Sequence, residues 1–147
     1  MYKQLITLSI ILFSLLLFAG TAASHCEIPC GIYDDQMRIT LLNEHIATIE
    51  KSMDKINNPS DGVGSNQHVR WIMNKENHAD EFQEIVSQYF LTQRIKPDSK
   101  DYTAKLELLH QMLIYAMKCK QTTDLQNTAK LKELVQSFEK LYFAPHN

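Results

Sequence analysis

The chain has 147 residues, with 15 Lys or Arg against 17 Asp or Glu and a net charge of -2. That balance offers no basic face for nucleic acid. With 44% apolar residues, four glycines and four prolines it is not the composition of a disordered chain, and its length fits one domain.

Met1-Tyr2-Lys3 places one positive side chain ahead of an uncharged run, mostly Leu, Ile and Phe, from Leu5 to Ala19. Ala22-Ala23-Ser24 follows, with small residues at the minus-three and minus-one positions of a cut after Ser24. These are the regions of a secretory signal peptide. A retained membrane anchor is the competing reading, but the run is at the short end for a span of about 20 residues. We expect residues 1–24 to be cleaved and, with no twin-arginine pair, exported by the general route. The mature chain, residues 25–147, would then occupy the periplasm, a lumen or the outside, with no stable membrane association. Losing Lys3 leaves fourteen basic side chains against seventeen acidic, a net charge of -3.

Cleavage there makes His25-Cys26 an amino terminus dense in donors: the α-amine and imidazole of His25, the backbone nitrogen of Cys26, and the Cys26 thiolate. Amine and amide nitrogen close one five-membered chelate ring, and the amide and its own thiolate close another. Cys30 adds a second thiolate if the backbone turns back. Pro29 fixes its own φ, and Gly31 permits a conformation other residues resist. Two nitrogens and two sulfurs in a plane suit nickel(II) or copper(II), whereas zinc prefers a tetrahedron. Thiolates and an anionic amide also stabilise a higher oxidation state. Against this stands a Cys26–Cys30 disulfide, which an oxidising compartment favours and which would make the chain a stapled helical binding or structural protein. A small thiol redox or metal-carrier protein is the third class. A thioredoxin-like dithiol lacks its C-x-x-C here, and no C-x-x-C-H occurs for haem.

Beyond the head, the pattern is helical. Ile39, Leu42, Ile46, Ile49, Met53 and Ile56 recur at steps of three and four, one apolar seam on a helix from about Asp34 to Asn57. Residues 57–64, with two glycines and a proline, read as a linker. A second helix begins near Ser65 or Asn66. Val69 and Ile72 open its stripe and Phe82, Val86 and Tyr89 resume it, with a polar stretch from Asn74 to Asp80 between them that implies a kink, a pocket or a partner. Trp71 lies beside the stripe, at a position suited to a subunit interface. Pro97-Asp98-Ser99 stops this helix and caps a third, whose stripe is Leu106, Leu109, Leu113 and Ala116. Thr122-Thr123-Asp124 caps a fourth, with Leu131, Leu134, Phe138 and Leu141, and Pro145 ends the fold. The expected class is all-α, an antiparallel up-down four-helix bundle carrying an N-terminal metal-binding hook. A pair of long hairpins completed only by oligomerisation is the rival. Phe82, Phe90, Phe138 and Tyr142 read as core and Cys119 as a buried small hydrophobe. His45, His68, His110 and His146 read as surface or packing residues.

The run His25-Cys26-x-x-Pro29-Cys30-Gly31-x-Tyr33 resembles the nickel-binding hook of the nickel superoxide dismutases, six fixed residues in a window of nine. The four-helix reading of residues 34–147 is similar to that family's fold. The resemblance implies an oxidoreductase that converts superoxide to dioxygen and hydrogen peroxide by cycling Ni(III)/Ni(II), with one nickel per subunit. The implied ligands are His25, Cys26 and Cys30, the His25 imidazole binding axially in the oxidised form. Tyr33 matches the tyrosine lining the approach to the metal, and Tyr89, before Phe90, resembles a second pocket tyrosine. The resemblance also implies a homohexamer with hooks packed between subunits. Glu27 stands where aspartate is common. An acidic residue and an arginine that steady the axial histidine in the family fall here at Thr40 and His78, so the imidazole's support differs. Superoxide is an anion and the chain is acidic, so any attraction to it must come from local cations or amide dipoles.

Overall fold

The computed structural model describes residues 31–59 and 64–145, with positions 2, 4 and 6 of the leader. The rest of the expected signal peptide, the hook residues His25, Cys26 and Cys30, the centre of the 57–64 linker and His146 lie outside the described residues. The chain divides into two compact units, residues 1–32 and 33–147. In the first, Gly31 holds a φ of +78°, a left-handed conformation that favours glycine. No helix among the described residues is long and apolar enough to cross a membrane.

The second unit holds four helices and, among its described residues, no strand. Helix α1 spans Asp35–Asn57 and starts where the Asp34 carboxylate accepts a hydrogen bond from the Met37 backbone N–H at 2.9 Å, an N-cap. Its seam of Ile39, Leu42, Ile46, Ile49 and Met53 is at most 1% exposed. Each such side chain stabilises the fold by about 1.5–3 kcal/mol through burial alone. Helix α2 spans Ser65–Glu84 and runs straight into a π-helical stretch, Ile85–Arg94. Helices α3, Tyr102–Gln121, and α4, Leu125–Tyr142, complete the set. Each helix packs on its chain neighbour, and α1 also packs on α4. This antiparallel up-down four-helix bundle therefore closes within one chain, which removes the two-hairpin rival.

The second helix differs most from its sequence pattern. Val69 and Ile72 are exposed, and the inward stripe is Lys75, Ala79 and Phe82. The α-helix runs unbroken through the polar stretch, and two of its polar groups find partners inside. Asn74 donates to Ser52 of α1 at 2.9 Å. Lys75, almost wholly buried, extends its ammonium to the carbonyls of Cys119 and Lys120 at 2.8 and 2.6 Å and to Glu76 at 2.6 Å. It thereby satisfies orphan carbonyls at the C-terminus of α3, where the helix dipole favours a cation.

The third helix starts later than its apparent cap. Asp101, at a φ of 57°, precedes Tyr102 and makes no side-chain cap bond, so Asp98 and Ser99 belong to the turn. Its buried stripe is Lys105, Leu109, Met112, Ala116 and Cys119, with Leu106 and Leu113 on its flanks. Asp124 caps α4 as expected, accepting from the Gln126 N–H at 2.9 Å. Phe82, Phe90 and Phe138 are fully buried, and Phe90 meets Phe138 edge-on at 5.0 Å between centroids, the arrangement aromatic pairs prefer.

Candidate functional site

The end of the bundle that follows the hook is organised by a carboxylate the sequence pattern did not single out. Asp35 is the first residue of α1, where the helix dipole favours an anion. Its two oxygens each receive two donors. Oδ1 accepts from the Tyr89 hydroxyl at 2.6 Å and Arg94 Nε at 2.8 Å. Oδ2 accepts from Arg94 Nη2 at 2.7 Å and the Tyr142 hydroxyl at 2.8 Å. All of its acceptor sites are used. Burial pushes the carboxyl pKa up, but hydrogen bonds from Arg94, Tyr89 and Tyr142 outweigh it and hold Asp35 below the usual carboxylate range. Burial and the bond to Asp35 raise both phenols, Tyr142 to about 12 and Tyr89 further, so both remain protonated donors.

The π-helical stretch makes this convergence possible. Residues five apart on an α-helix point about 140° apart, so Tyr89 and Arg94 would diverge. In the wider π turn they stack. The Ile95 N–H reaches back five residues to the Phe90 carbonyl at 2.9 Å, and the Thr92 hydroxyl and Gln93 amide donate to the carbonyls of Ser87 and Gln88, also five residues back, at 2.8 and 3.1 Å. The same geometry lets the adjacent Tyr89 and Phe90 both be buried, at 3% and 0% exposure. Such stretches are rare and often sit at functional sites.

Tyr33 rests on this assembly. Its ring meets Tyr89 edge-on at 5.9 Å, and the Arg94 guanidinium lies 4.3 Å from its centroid, within cation–π range. Arg38 stacks on Tyr89 at 4.9 Å. Tyr33 itself is 39% exposed. One tyrosine three residues after Cys30 is thus clamped by a second tyrosine and an arginine that the Asp35 carboxylate fixes in place.

The other candidates fall elsewhere. Thr40 is exposed and its hydroxyl donates back to the Gln36 carbonyl at 3.1 Å. His78 makes no hydrogen bond to it; instead its Nδ1 lies 2.9 Å from Nδ1 of His45. His45 is largely buried and packs on His78, ring centroids 5.1 Å apart, in keeping with a packing residue. Cys119 is wholly buried, and burial raises its thiol to about 12, which keeps it an inert core side chain. Tyr142 is half-buried, packing on Phe138 while its hydroxyl serves Asp35, so it is more than core. Asp35, Arg94 and Arg38 were missed. The one signal pointing to them was their own types, an acid at a helix start and arginines near apolar stripes.

The family model described as nickel-containing superoxide dismutase matches residues 20–145. No curated protein and no solved structure matches the chain.

Proposed function

The chain belongs to the nickel-containing superoxide dismutases, oxidoreductases that use nickel to convert superoxide to dioxygen and hydrogen peroxide, and from that premise we propose that its nickel is held at residues 25–30. The ligands are the α-amine and imidazole of His25, the backbone nitrogen and thiolate of Cys26, and the thiolate of Cys30. The donor set fits the metal: two chelate rings and two thiolates give the strong planar field nickel takes. Gly31, next to Cys30, holds the left-handed φ that a returning backbone uses.

Two superoxide anions and two protons become one dioxygen and one hydrogen peroxide, so one electron leaves the first anion and enters the second. Bound in the hook, nickel supplies the one-electron couple Ni(III)/Ni(II). The remaining work falls to the chain. Tyr33, the last residue of the hook motif, presents a partly exposed ring, and Tyr89 and Arg94 pack against it. With Tyr89 and Tyr142 held as strong hydrogen-bond donors to Asp35, neither is a ready proton source. Arg38 is in no ion pair with the described residues and is the cation that draws an anionic substrate to this acidic chain.

The observation that carries this reading is the match across residues 20–145, which contains every hook donor and runs without a break into the Tyr33 clamp. We extend the reading to export with cleavage after Ser24 and to a homohexamer with one nickel per subunit. The exposed apolar side chains of Val69, Ile72 and Met73, 39–57% accessible, supply surface for self-association. The test is amino-terminal sequencing and metal analysis of one sample expressed with its own leader. His25 at the terminus with about one nickel per chain is the expected result. A longer terminus, no nickel and a Cys26–Cys30 disulfide would refute it.

A further inference from the structure

Helices α1 and α2 bring three metal-binding side chains together outside the hook. Nδ1 of His45 lies 2.9 Å from Nδ1 of His78 and 3.3 Å from Oε2 of Glu81, and the His78–Glu81 distance is 3.6 Å. We propose that His45, His78 and Glu81 form a second site for a divalent transition ion of the zinc class, additional to the hook ligands.

The distances fit one ion. Zinc bonds nitrogen at about 2.0–2.1 Å and carboxylate oxygen at about 2.0–2.2 Å, which places tetrahedral ligands about 3.3–3.4 Å apart. The three observed separations bracket that edge. Two imidazoles and one carboxylate are also the donor set of open zinc sites, with a fourth position for water.

Hydrogen bonding alone satisfies the cluster poorly. Two neutral imidazoles with facing Nδ1 atoms share one proton between them, and the carboxylate then faces both rings without a donor of its own. A cation satisfies all three lone pairs at once.

The frame is helical and reachable. His78 and Glu81 are three residues apart on one face of α2, while His45 projects from α1 beside the buried Ile46. A cleft of about 440 Å³ leads to His45 and Glu81; its lining includes Glu84, Arg38 and Asp80, the last paired with Lys120. The cleft supplies an entry path and room for a water ligand.

The test uses the mature chain, residues 25–147, with Cys26→Ser and Cys30→Ser to remove the hook thiolates. Zinc(II) is titrated calorimetrically while the histidine imidazole nitrogens are followed by NMR. One zinc per chain, with the His45 and His78 Nδ1 resonances shifting together, is expected. Adding Glu81→Gln should weaken binding about ten-fold or more, and His45→Ala with His78→Ala should abolish it. The NMR readout needs no histidine substitution, so it holds even where those variants fold poorly. Zinc that moves only the His25 ring, zinc that leaves every imidazole unmoved, or binding unchanged in the double histidine variant overturns the proposal. Because the thiolates are absent throughout, the outcome is independent of whether nickel occupies the hook.

Discussion

Arg94 and Asp35, 59 residues apart in the chain, form a two-pronged ion pair, with Nε and Nη2 at 2.8 and 2.7 Å from the two carboxylate oxygens. The pair joins the start of α1 to the end of the π-helical stretch, and Tyr142 adds the end of α4. The same guanidinium carries the ring of Tyr33. The start of α1, the ends of the π-helical stretch and of α4, and the packing around Tyr33, the last residue of the hook motif, therefore share one carboxylate.

Asp35→Asn tests that arrangement. It leaves Arg94 without a counter-charge and puts an amide donor against donors, so stability should fall by on the order of 2–3 kcal/mol. The sign of the pH effect follows from the depressed pKa. With the folded value below the unfolded value of about 3.8, the stabilisation is complete above the unfolded value and is lost as pH falls through the folded one. Urea midpoints of the two proteins should differ by a constant amount from about pH 5 to 8 and converge below about pH 4. A difference that grew towards acid would contradict the assignment.

Arg94→Lys keeps the charge and loses the fork. Lysine cannot bond both carboxylate oxygens in a plane or stack flat on Tyr33, so a stability loss of about 1–2 kcal/mol is expected. Nickel content should be unchanged, because no hook donor is touched, while turnover drops with the freed Tyr33 ring. Equal activity and stability in the lysine variant would show that the fork does not matter.

The hook reading rests on sequence alone: its proposed donors lie within six residues of one another, outside the described residues. The first and fourth helices were legible, since one uninterrupted seam, such as Ile39 to Met53, meets one partner surface. The Asp35 cluster was not. Its members are separated by 54, 59 and 107 residues, and Tyr89 and Arg94 coincide only on a π turn, which a search at a period of 3.6 reads as divergence. Lys75 misled for a different reason: a long side chain is buried where it can satisfy helix-end carbonyls, and polarity alone does not reveal that. Val69 and Ile72 fit the helical period but face outward, because periodicity finds a stripe without saying what covers it.

Arg38 offers a test of substrate attraction. It touches the tyrosine pair through Tyr89 and is in no ion pair with the described residues. Arg38→Glu reverses the local field near Tyr33, and kcat/KM for superoxide should fall several-fold at about 10 mM salt. The deficit should shrink towards about 0.5 M salt, where screening erases surface potentials. A deficit independent of salt would mean the arginine acts through packing.

Lys75→Met probes the buried cation that closes α3. Methionine fills similar space but leaves the carbonyls of Cys119 and Lys120 without their donor. A loss on the order of 2–4 kcal/mol is expected, read as a lower denaturation midpoint with the helical signal retained. Metal content should not change. A neutral outcome would show that water replaces the ammonium and that the cap is dispensable.

The sharpest prediction concerns the amino terminus. If the α-amine of His25 is a ligand, then one alanine added before it converts that amine to an amide and moves the charge-bearing nitrogen a residue away. The Cys26 and Cys30 thiolates, Tyr33 and the whole bundle are left intact. Thermal stability of the extended protein should therefore match the native chain within about 0.5 kcal/mol, while redox-active nickel and superoxide turnover fall by at least about a hundred-fold. Cys26→Ser should give the same loss by a different route, removing one thiolate and keeping the amine. Metal analysis and pulse-radiolysis rates on the two variants separate the possibilities. Full nickel and full turnover in the alanine-extended protein would exclude the amine from the coordination sphere, and retained turnover in Cys26→Ser would exclude the hook as the site of reaction.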